Sequence, residues 1–331
     1  MRQRYFSGIQ PTGELHIGNY LGAIKSWIGL QDTYEGIFGI VDYHAITEPY
    51  KPSAMSKRVI DAALDYLAAG LNPNKSIIMI QSLVPEHTEM AWLLNCITPV
   101  SWVERVPTYK EKAKQLKIGV NMGLLSYPVL MAADIMLYKS TIVPVGEDQA
   151  PHLELTREIV RAFNGRFGDT FPEPQTYLGS GARIMSLTEP TRKMSKSLGP
   201  QSYIALSDPP YVIRAKLSKA VTDIGPTGGE ISPGTKNLFQ LMSIFSSAET
   251  YGHFKKLYDE ETIRYSEMKE KLADDIISVL GPIRDRRQEL SLKPDYVRDL
   301  LIEGSHKARE IARETFLEAK DKMGLIYFYG E

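Results

Sequence analysis

The stretch Tyr5-Phe6-Ser7-Gly8-Ile9-Gln10-Pro11-Thr12-Gly13-Glu14-Leu15-His16-Ile17-Gly18-Asn19 compresses a strand, a turn and the start of a helix. Residues 5–9 form a short, mostly apolar run, and Pro11-Thr12-Gly13 is a turn signal. Ile17, Tyr20, Leu21, Ile24 and Ile28 then recur at i, i+3, i+4, i+7 and i+11, one face of a helix. Working outward, residues 36–41 read as a second strand. Val59, Ala62, Ala63, Tyr66 and Leu67 give the next helical stripe, stopped near Gly70-Leu71-Asn72-Pro73. Ile77-Ile78-Met79-Ile80 is apolar throughout, as a strand buried on both faces requires. Strands alternating with helices of these lengths imply crossover connections and a parallel sheet. Right-handed crossovers then make the fold class α/β, with a Rossmann-like doubly wound parallel sheet.

Strand-like runs end after Ser197. Asp208 before Pro209 has the character of a helix N-cap followed by proline at the first position. Tyr265, Met268, Leu272 and Val279 share a helical face, as do Ala308, Ile311, Ala312 and Ala319. A Gly- and Pro-rich loop over 225–234 separates two helical stretches. The expected plan is therefore a Rossmann-like sheet domain over 1–195 and a mainly helical C-terminal domain over 196–331, distinct from the sheet.

The 331 residues leave room for roughly two domains at about 150 residues each. Apolar residues at 43% and charged residues at 24% are ordinary globular values, which excludes long disorder and collagen-like or coiled-coil arrays. With 39 basic and 40 acidic side chains the net charge is −1, so a nucleic-acid partner needs a local patch. A lone cysteine, Cys96, makes neither an internal disulfide nor a thiolate metal cage, and it suits a reducing compartment. No zinc or iron–sulfur cluster is expected. The chain opens on strand-like sequence without a charged-then-apolar leader, and no apolar run of about 18 residues predicts a membrane span. These features predict a cytoplasmic protein.

Three segments can carry chemistry. Gln10 to Asn19 lies between a strand and a helix start, where open α/β sheets bind nucleotides. Gly13 and Gly18 permit close approach, and His16 and Asn19 stand one turn apart, both able to donate to phosphate oxygens. A loop with incidental polar residues would look the same. Lys193-Met194-Ser195-Lys196-Ser197 suits a mobile loop closing on a polyphosphate, its ammonium groups neutralising charge on a departing phosphate. Most charge runs are solvated stretches, and that reading stays open. No Gly-x-x-x-x-Gly-Lys-Ser/Thr pattern is present, so a P-loop is not the explanation. Val143-Pro144-Val145-Gly146-Glu147-Asp148-Gln149 is a strand ending in polar groups, suited to ribose, amine or substrate recognition, or simply a capped strand end.

These segments occur together with Val41-Asp42 and His44-Ala45-Ile46-Thr47, with Leu130-Met131-Ala132-Ala133-Asp134-Ile135, with Gly181-Ala182-Arg183-Ile184-Met185-Ser186, and with Ala220-Val221-Thr222-Asp223. In this order and at this spacing, across most of the first 223 residues, the chain resembles the bacterial-type tryptophanyl-tRNA synthetases of the class I aminoacyl-tRNA synthetase family. Asn19 stands where the class-wide His-x-Gly-His motif has its second histidine, as in other tryptophan enzymes of the family.

The resemblance implies a tryptophan–tRNA ligase. Such an enzyme activates L-tryptophan with ATP to an adenylate and pyrophosphate, then charges the terminal adenosine of tRNA(Trp). ATP would arrive with Mg²⁺. By the same resemblance, Gln10, Pro11, Thr12, His16, Gly18, Asn19, Gly146, Glu147, Asp148, Ile184, Lys193, Met194, Ser195, Lys196 and Ser197 would hold ATP, with Lys193, Lys196 and Gln10 catalytic. Phe6, His44, Tyr127, Met131, Asp134, Val143, Val145 and Gln149 would hold tryptophan. The family implies a homodimer, and anticodon contacts on the helical domain.

An indole offers one polar group, an N–H donor, so a selective pocket needs an acceptor such as Asp134 at its far end. Asp134 can also serve as a helix cap or ion-pair partner, and His44 as an ordinary core histidine. A carboxylate accepts from a phenol as well as from an indole, so Asp134 alone does not separate tryptophan from tyrosine. A catalytically silent tRNA-binding paralogue would be free to lose Lys193 and Lys196, and both are present. A plain nucleotidylyltransferase would leave the late lysine segment and the helical region unexplained.

Overall fold

The computed structural model describes residues 2–115, 120–146, 149–178, 183–223 and 231–325. Five strands, β1 (Arg4–Ile9), β2 (Glu35–Ile40), β3 (Ser76–Ile80), β4 (Ile142–Val145) and β5 (Gln175–Leu178), form one sheet of order β3-β2-β1-β4-β5. Every pairing is parallel. The chain starts at the centre, winds outward to β3, then crosses back to β4, so the winding reverses between β1 and β4. β1 and β2 pair along their whole length, from Arg4↔Glu35 to Ile9↔Ile40. β1 and β4 pair only at Tyr5↔Ile142. Pro144 has no N–H to extend that ladder, and the strands part toward their carboxyl ends.

The first crossover is helical from Ile17 to Leu30: α1 (Ile17–Asn19), a π-helical turn (Tyr20–Ile24) and α2 (Lys25–Leu30). Trp27, rather than Ile28, is the fully buried residue in its last turn. Then come α3 (Asp42–Ala45), α4 (Pro52–Ala69), α5 (Glu86–Asn95), α6 (Val100–Glu104), α7 (Pro107–Gln115), α8 (Met122–Met136) and α9 (Ala150–Phe167). α4 starts on a proline and stops at Gly70, whose φ of +114° ends the helix in the left-handed region. The two faces of the sheet carry separate cores. Tyr5, Trp27, Phe38 and Tyr66 pack on one, and Phe6, Met79, Tyr138 and Val143 on the other.

The remaining described helices are α10 (Pro210–Ser218), α11 (Pro233–Phe245), α12 (Ala248–Asp259), α13 (Tyr265–Ser291) and α14 (Pro294–Lys322). They do not stand apart from the sheet. Met268, Leu272, Ile276 and Leu280 of α13 continue the core that begins at Tyr5. α14 lies against β3, where the Ser305 hydroxyl accepts the Ile80 amide at 3.1 Å and covers the sheet edge.

Two local expectations are corrected. Asp208 is not the N-cap of α10, because that helix starts at Pro210. Its carboxylate instead accepts the Ala205 amide at 2.8 Å and Lys216 Nζ at 2.6 Å. Val279 leaves the buried face of α13, being 42% exposed, because the helical period brings Ile276 and Leu280 inward.

Candidate active site

Where β1 and β4 part, a cavity of about 220 Å³ opens at the carboxyl end of the sheet. Phe6 and Gly8 reach it from β1, Gln10 from the turn that follows, His44 from α3, and Tyr127, Met131 and Asp134 from α8. Val143, Gly146 and Gln149 close it from β4 and its loop. Most of this lining is apolar, and the polar groups converge on Asp134, which is 1% exposed. Its Oδ1 accepts Gln81 Nε2 at 2.8 Å and lies 2.6 Å from His87 Nδ1, while Oδ2 lies 2.9 Å from His44 Nε2. Burial works against the charge, but His87 and the hydrogen bonds from both histidines outweigh it and hold the carboxyl below its usual range. A carboxylate offers about four acceptor positions. Three are engaged by these described residues, which leaves one on Oδ2 for a donor in the cavity. Behind Asp134, His87 Nε2 meets the Tyr138 hydroxyl at 2.8 Å, and Tyr138 stacks on Phe6 at 5.5 Å. The Tyr127 hydroxyl lies 2.8 Å from His152 Nε2, and burial pushes its pKa up to about 12, so it stays a neutral phenol.

The turn after β1 is tight, with the Thr12 amide donating to Gln10 O at 2.8 Å. His16 caps α1 reciprocally. Its Nδ1 accepts the Asn19 amide at 3.3 Å, and Asn19 Oδ1 accepts the His16 amide at 3.1 Å. Both side chains are thereby oriented: His16 carries its proton on Nε2, and Asn19 turns its amide NH₂ outward. Burial, then the nearby charges of Lys196 and Lys193, depress the His16 pKa to about 3, so the ring is neutral. Gly18 makes this approach feasible, since a Cβ there would sit 2.9 Å from His16 Nδ1. The π turn follows at once, an irregularity frequent at functional sites.

The lysine segment meets this turn from far along the chain, Lys196 and Gly13 being 183 residues apart. Met194 is buried, and its amide donates to Ile184 O at 2.9 Å, which anchors the segment on the core. Ser195 Oγ caps the short 3₁₀ turn Lys196–Leu198 by accepting the Ser197 amide. Lys196 Nζ donates to Gly13 O at 3.3 Å. Burial lowers the Lys196 pKa to about 8; Asp65 and Glu14 oppose that fall and Arg58 adds to it. The structure thus brings two candidate segments to one place, and Gln10 lies between them and the cavity.

The chain matches the model of the class I tRNA synthetases for tryptophan and tyrosine over residues 1–281. Tryptophan–tRNA ligase from Clostridium acetobutylicum is 43% identical over 327 residues, 97% of this chain and 96% of that protein. The Caldanaerobacter subterraneus enzyme of the same name is 46% identical over 330 residues, 98% of this chain and 99% of that one. The chain belongs to the class I tryptophanyl- and tyrosyl-tRNA synthetase family, in its bacterial-type tryptophanyl branch. Among solved structures, tryptophanyl-tRNA synthetase from Campylobacter jejuni, complexed with ADP and tryptophan, superposes with a TM-score of 0.85. It shares 32% identity over 97% of this chain and 100% of that one. The Mycoplasma pneumoniae enzyme gives a TM-score of 0.86 at 32% identity, over 98% and 99% of the two chains.

An aminoacyl-tRNA synthetase must bring an amino acid and ATP side by side, and the sequence-predicted residues divide between two adjoining places. Phe6, His44, Tyr127, Met131, Asp134, Val143 and Gln149 line the cavity, joined by Gln10 and Gly146. His16, Gly18, Asn19, Met194 and Lys196 meet at the turn, with Lys193 close enough for its charge to reach His16. Glu147, Asp148, Gly181, Ala182 and the side chain of Val145 lie outside the described residues. The synthetase reading did not foresee Gln81, His87 and Tyr138 behind Asp134. Gln81 had a signal, as a polar residue directly after the Ile77–Ile80 run, at a strand's carboxyl end. His87 and Tyr138 had none, because only the packing of α5 against α8 brings them to Asp134.

Proposed function

We infer that the cavity is the tryptophan pocket and the adjoining turn the ATP site of a tryptophan–tRNA ligase. The enzyme activates L-tryptophan with ATP and charges tRNA, as its family does. One observation carries the assignment of the pocket: a buried, charge-locked carboxylate on which the described residues leave one acceptor position, inside an apolar cavity that adjoins a turn facing lysines. An indole has one N–H to offer that acceptor.

In this reading Phe6, Met131 and Val143 pack the ring, and Tyr127 and Gln149 face the amino group. The substrate carboxylate attacks the α-phosphorus of ATP and pyrophosphate leaves. No enzyme nucleophile is needed, so catalysis is positioning and charge stabilisation. Neutral His16 donates through Nε2, and Asn19 through its NH₂, to phosphate oxygens, while Gln10, Pro11 and Thr12 line the phosphate side. Gly146, Glu147 and Asp148 sit by the nucleoside, and Ile184 by the base. Lys193 and Lys196, on a segment carrying Ser195 and Ser197, offset the charge developing on the departing pyrophosphate. Mg²⁺ enters with ATP. The helical region 196–331, packed on the sheet, meets the tRNA anticodon, and the working enzyme is a cytoplasmic homodimer.

Amino-acid-dependent ATP–pyrophosphate exchange tests this directly. Exchange driven by tryptophan is the expected result, and exchange driven by tyrosine alone would overturn it. Asp134→Ala is expected to lower kcat/KM for tryptophan by at least about 100-fold while KM for ATP stays within about threefold. An unchanged preference for tryptophan would remove the pocket assignment.

A further inference from the structure

Asp65 sits in α4, nearly inaccessible, between two distant parts of the chain. Its Oδ2 accepts the amide of Leu15 at 3.4 Å, and its Oδ1 accepts Arg287 Nε, from α13, at 2.6 Å. Arg287 Nη2 donates to Asp61 Oδ1 at 2.8 Å, one turn earlier on α4. A single guanidinium therefore spans two carboxylates that would otherwise repel across one helical turn. Leu15 is itself buried and immediately precedes His16, and its carbonyl accepts the Leu206 amide at 2.8 Å. Its amide would be a buried, unpartnered donor without Asp65. An isolated carboxylate at this depth is costly, so Asp65 depends on Arg287 both for its charge and for its aim.

We propose that Arg287 and Asp65 are positioning residues for the ATP-binding turn: a guanidinium from α13 aims a carboxylate of α4 at the amide beside His16. The proposal rests on the assignment of that turn to ATP. It adds a physical link through which the C-terminal helices set the geometry of the nucleotide site. Both residues act through the backbone of Leu15, with Asp65 also lending its charge to Lys196, and neither touches ATP itself. Because Asp134 and the groups that hold it, His44, Gln81 and His87, come from other elements, the link affects ATP and spares tryptophan.

The test is pyrophosphate exchange by the full-length enzyme, with KM measured separately for ATP and for tryptophan. Arg287→Gln and Asp65→Asn are each expected to raise KM for ATP roughly tenfold, the loss of about one charge-assisted hydrogen bond. KM for tryptophan should stay within about twofold, and the double variant should be no worse than either single one. Arg287→Lys, the milder change if the glutamine variant fails to fold, should fall between Arg287→Gln and the parent. Asp61→Asn removes only the other branch of the fork and should leave KM for ATP unchanged. A lower melting temperature with both KM values unchanged, or an equal rise in both, would overturn the proposal. His16→Ala separates the two levels. If it leaves KM for ATP unchanged, the assignment of the turn fails and the proposal with it. If it raises KM for ATP and Arg287→Gln does not, the link alone is wrong.

Discussion

Lys196 shows how much a single side chain's surroundings matter. Burial against the Gly13 turn lowers its pKa to about 8, so the charge it would bring to a departing pyrophosphate is present at neutral pH and lost on moderate alkalinisation. The sign follows from the cationic form being the active one. Below about pH 8 the ammonium is intact, and above it kcat/KM for ATP falls. Lys196→Ala is expected to bind tryptophan normally and to slow adenylate formation by about 100- to 1000-fold. Lys196→Arg, whose guanidinium keeps its proton, should be slower than the parent yet flat across about pH 7 to 9.5. Pyrophosphate exchange across that range checks both, and an alkaline limb that survives in the arginine variant would assign it to another group. His16 illustrates the reverse case, a ring kept neutral by burial and by the lysine charges so that its outward proton has a defined position.

At the scale of an element, the segment from Ile17 to Leu30 was legible as a helix from its apolar spacing alone. The reciprocal cap of His16 and Asn19 and the π turn that follows were not. Capping depends on backbone angles at one residue, and a π turn on a local extra residue that apolar spacing does not register. Gly18 tests this turn. Alanine there brings a Cβ to 2.9 Å from His16 Nδ1 and 3.0 Å from Cε1, so the ring must move. Gly18→Ala is expected to raise KM for ATP roughly tenfold while shifting Tm by no more than about 4 °C. A variant with parental KM would show that the ring position does not matter to ATP. Asp208 teaches a related lesson. Its place before proline reads as a cap, but the carboxylate finds the ammonium of Lys216, eight residues on, and that pair decides its role.

For the whole molecule, the decisive feature is the return of α13 and α14 to the sheet domain. Gly304 and Ser305 on α14 let the helix backbone lie against the edge strand β3, since a Cβ on Gly304 would fall 2.0 Å from Ile78 O. Gly304→Ala is expected to destabilise the protein by about 1–3 kcal/mol as the helix is forced off the strand. A Cβ on Gly252, in α12, would meet nothing within 4 Å, and Gly252→Ala should gain up to about 1 kcal/mol from helix propensity. Urea unfolding of the two variants should give midpoints on opposite sides of the parent. Equal shifts would mean that α14 does not grip the sheet edge as described.

The sequence by itself determined the local and the chemical parts of this protein. Apolar periodicity gave the first three strands and the helices between them, and local side-chain chemistry singled out Gln10, His16 and the lysine segment, because both are properties of neighbours along the chain; Asp134, inside a helix, stood out only through the resemblance to the synthetases. What only the tertiary structure decided is which distant groups meet. His44, Gln81 and His87 converge on Asp134, and Arg287 reaches Asp65 more than 200 residues away. Such partnerships are set by how helices dock on a sheet. Docking follows from the shape and burial of whole faces, which no short stretch of sequence encodes.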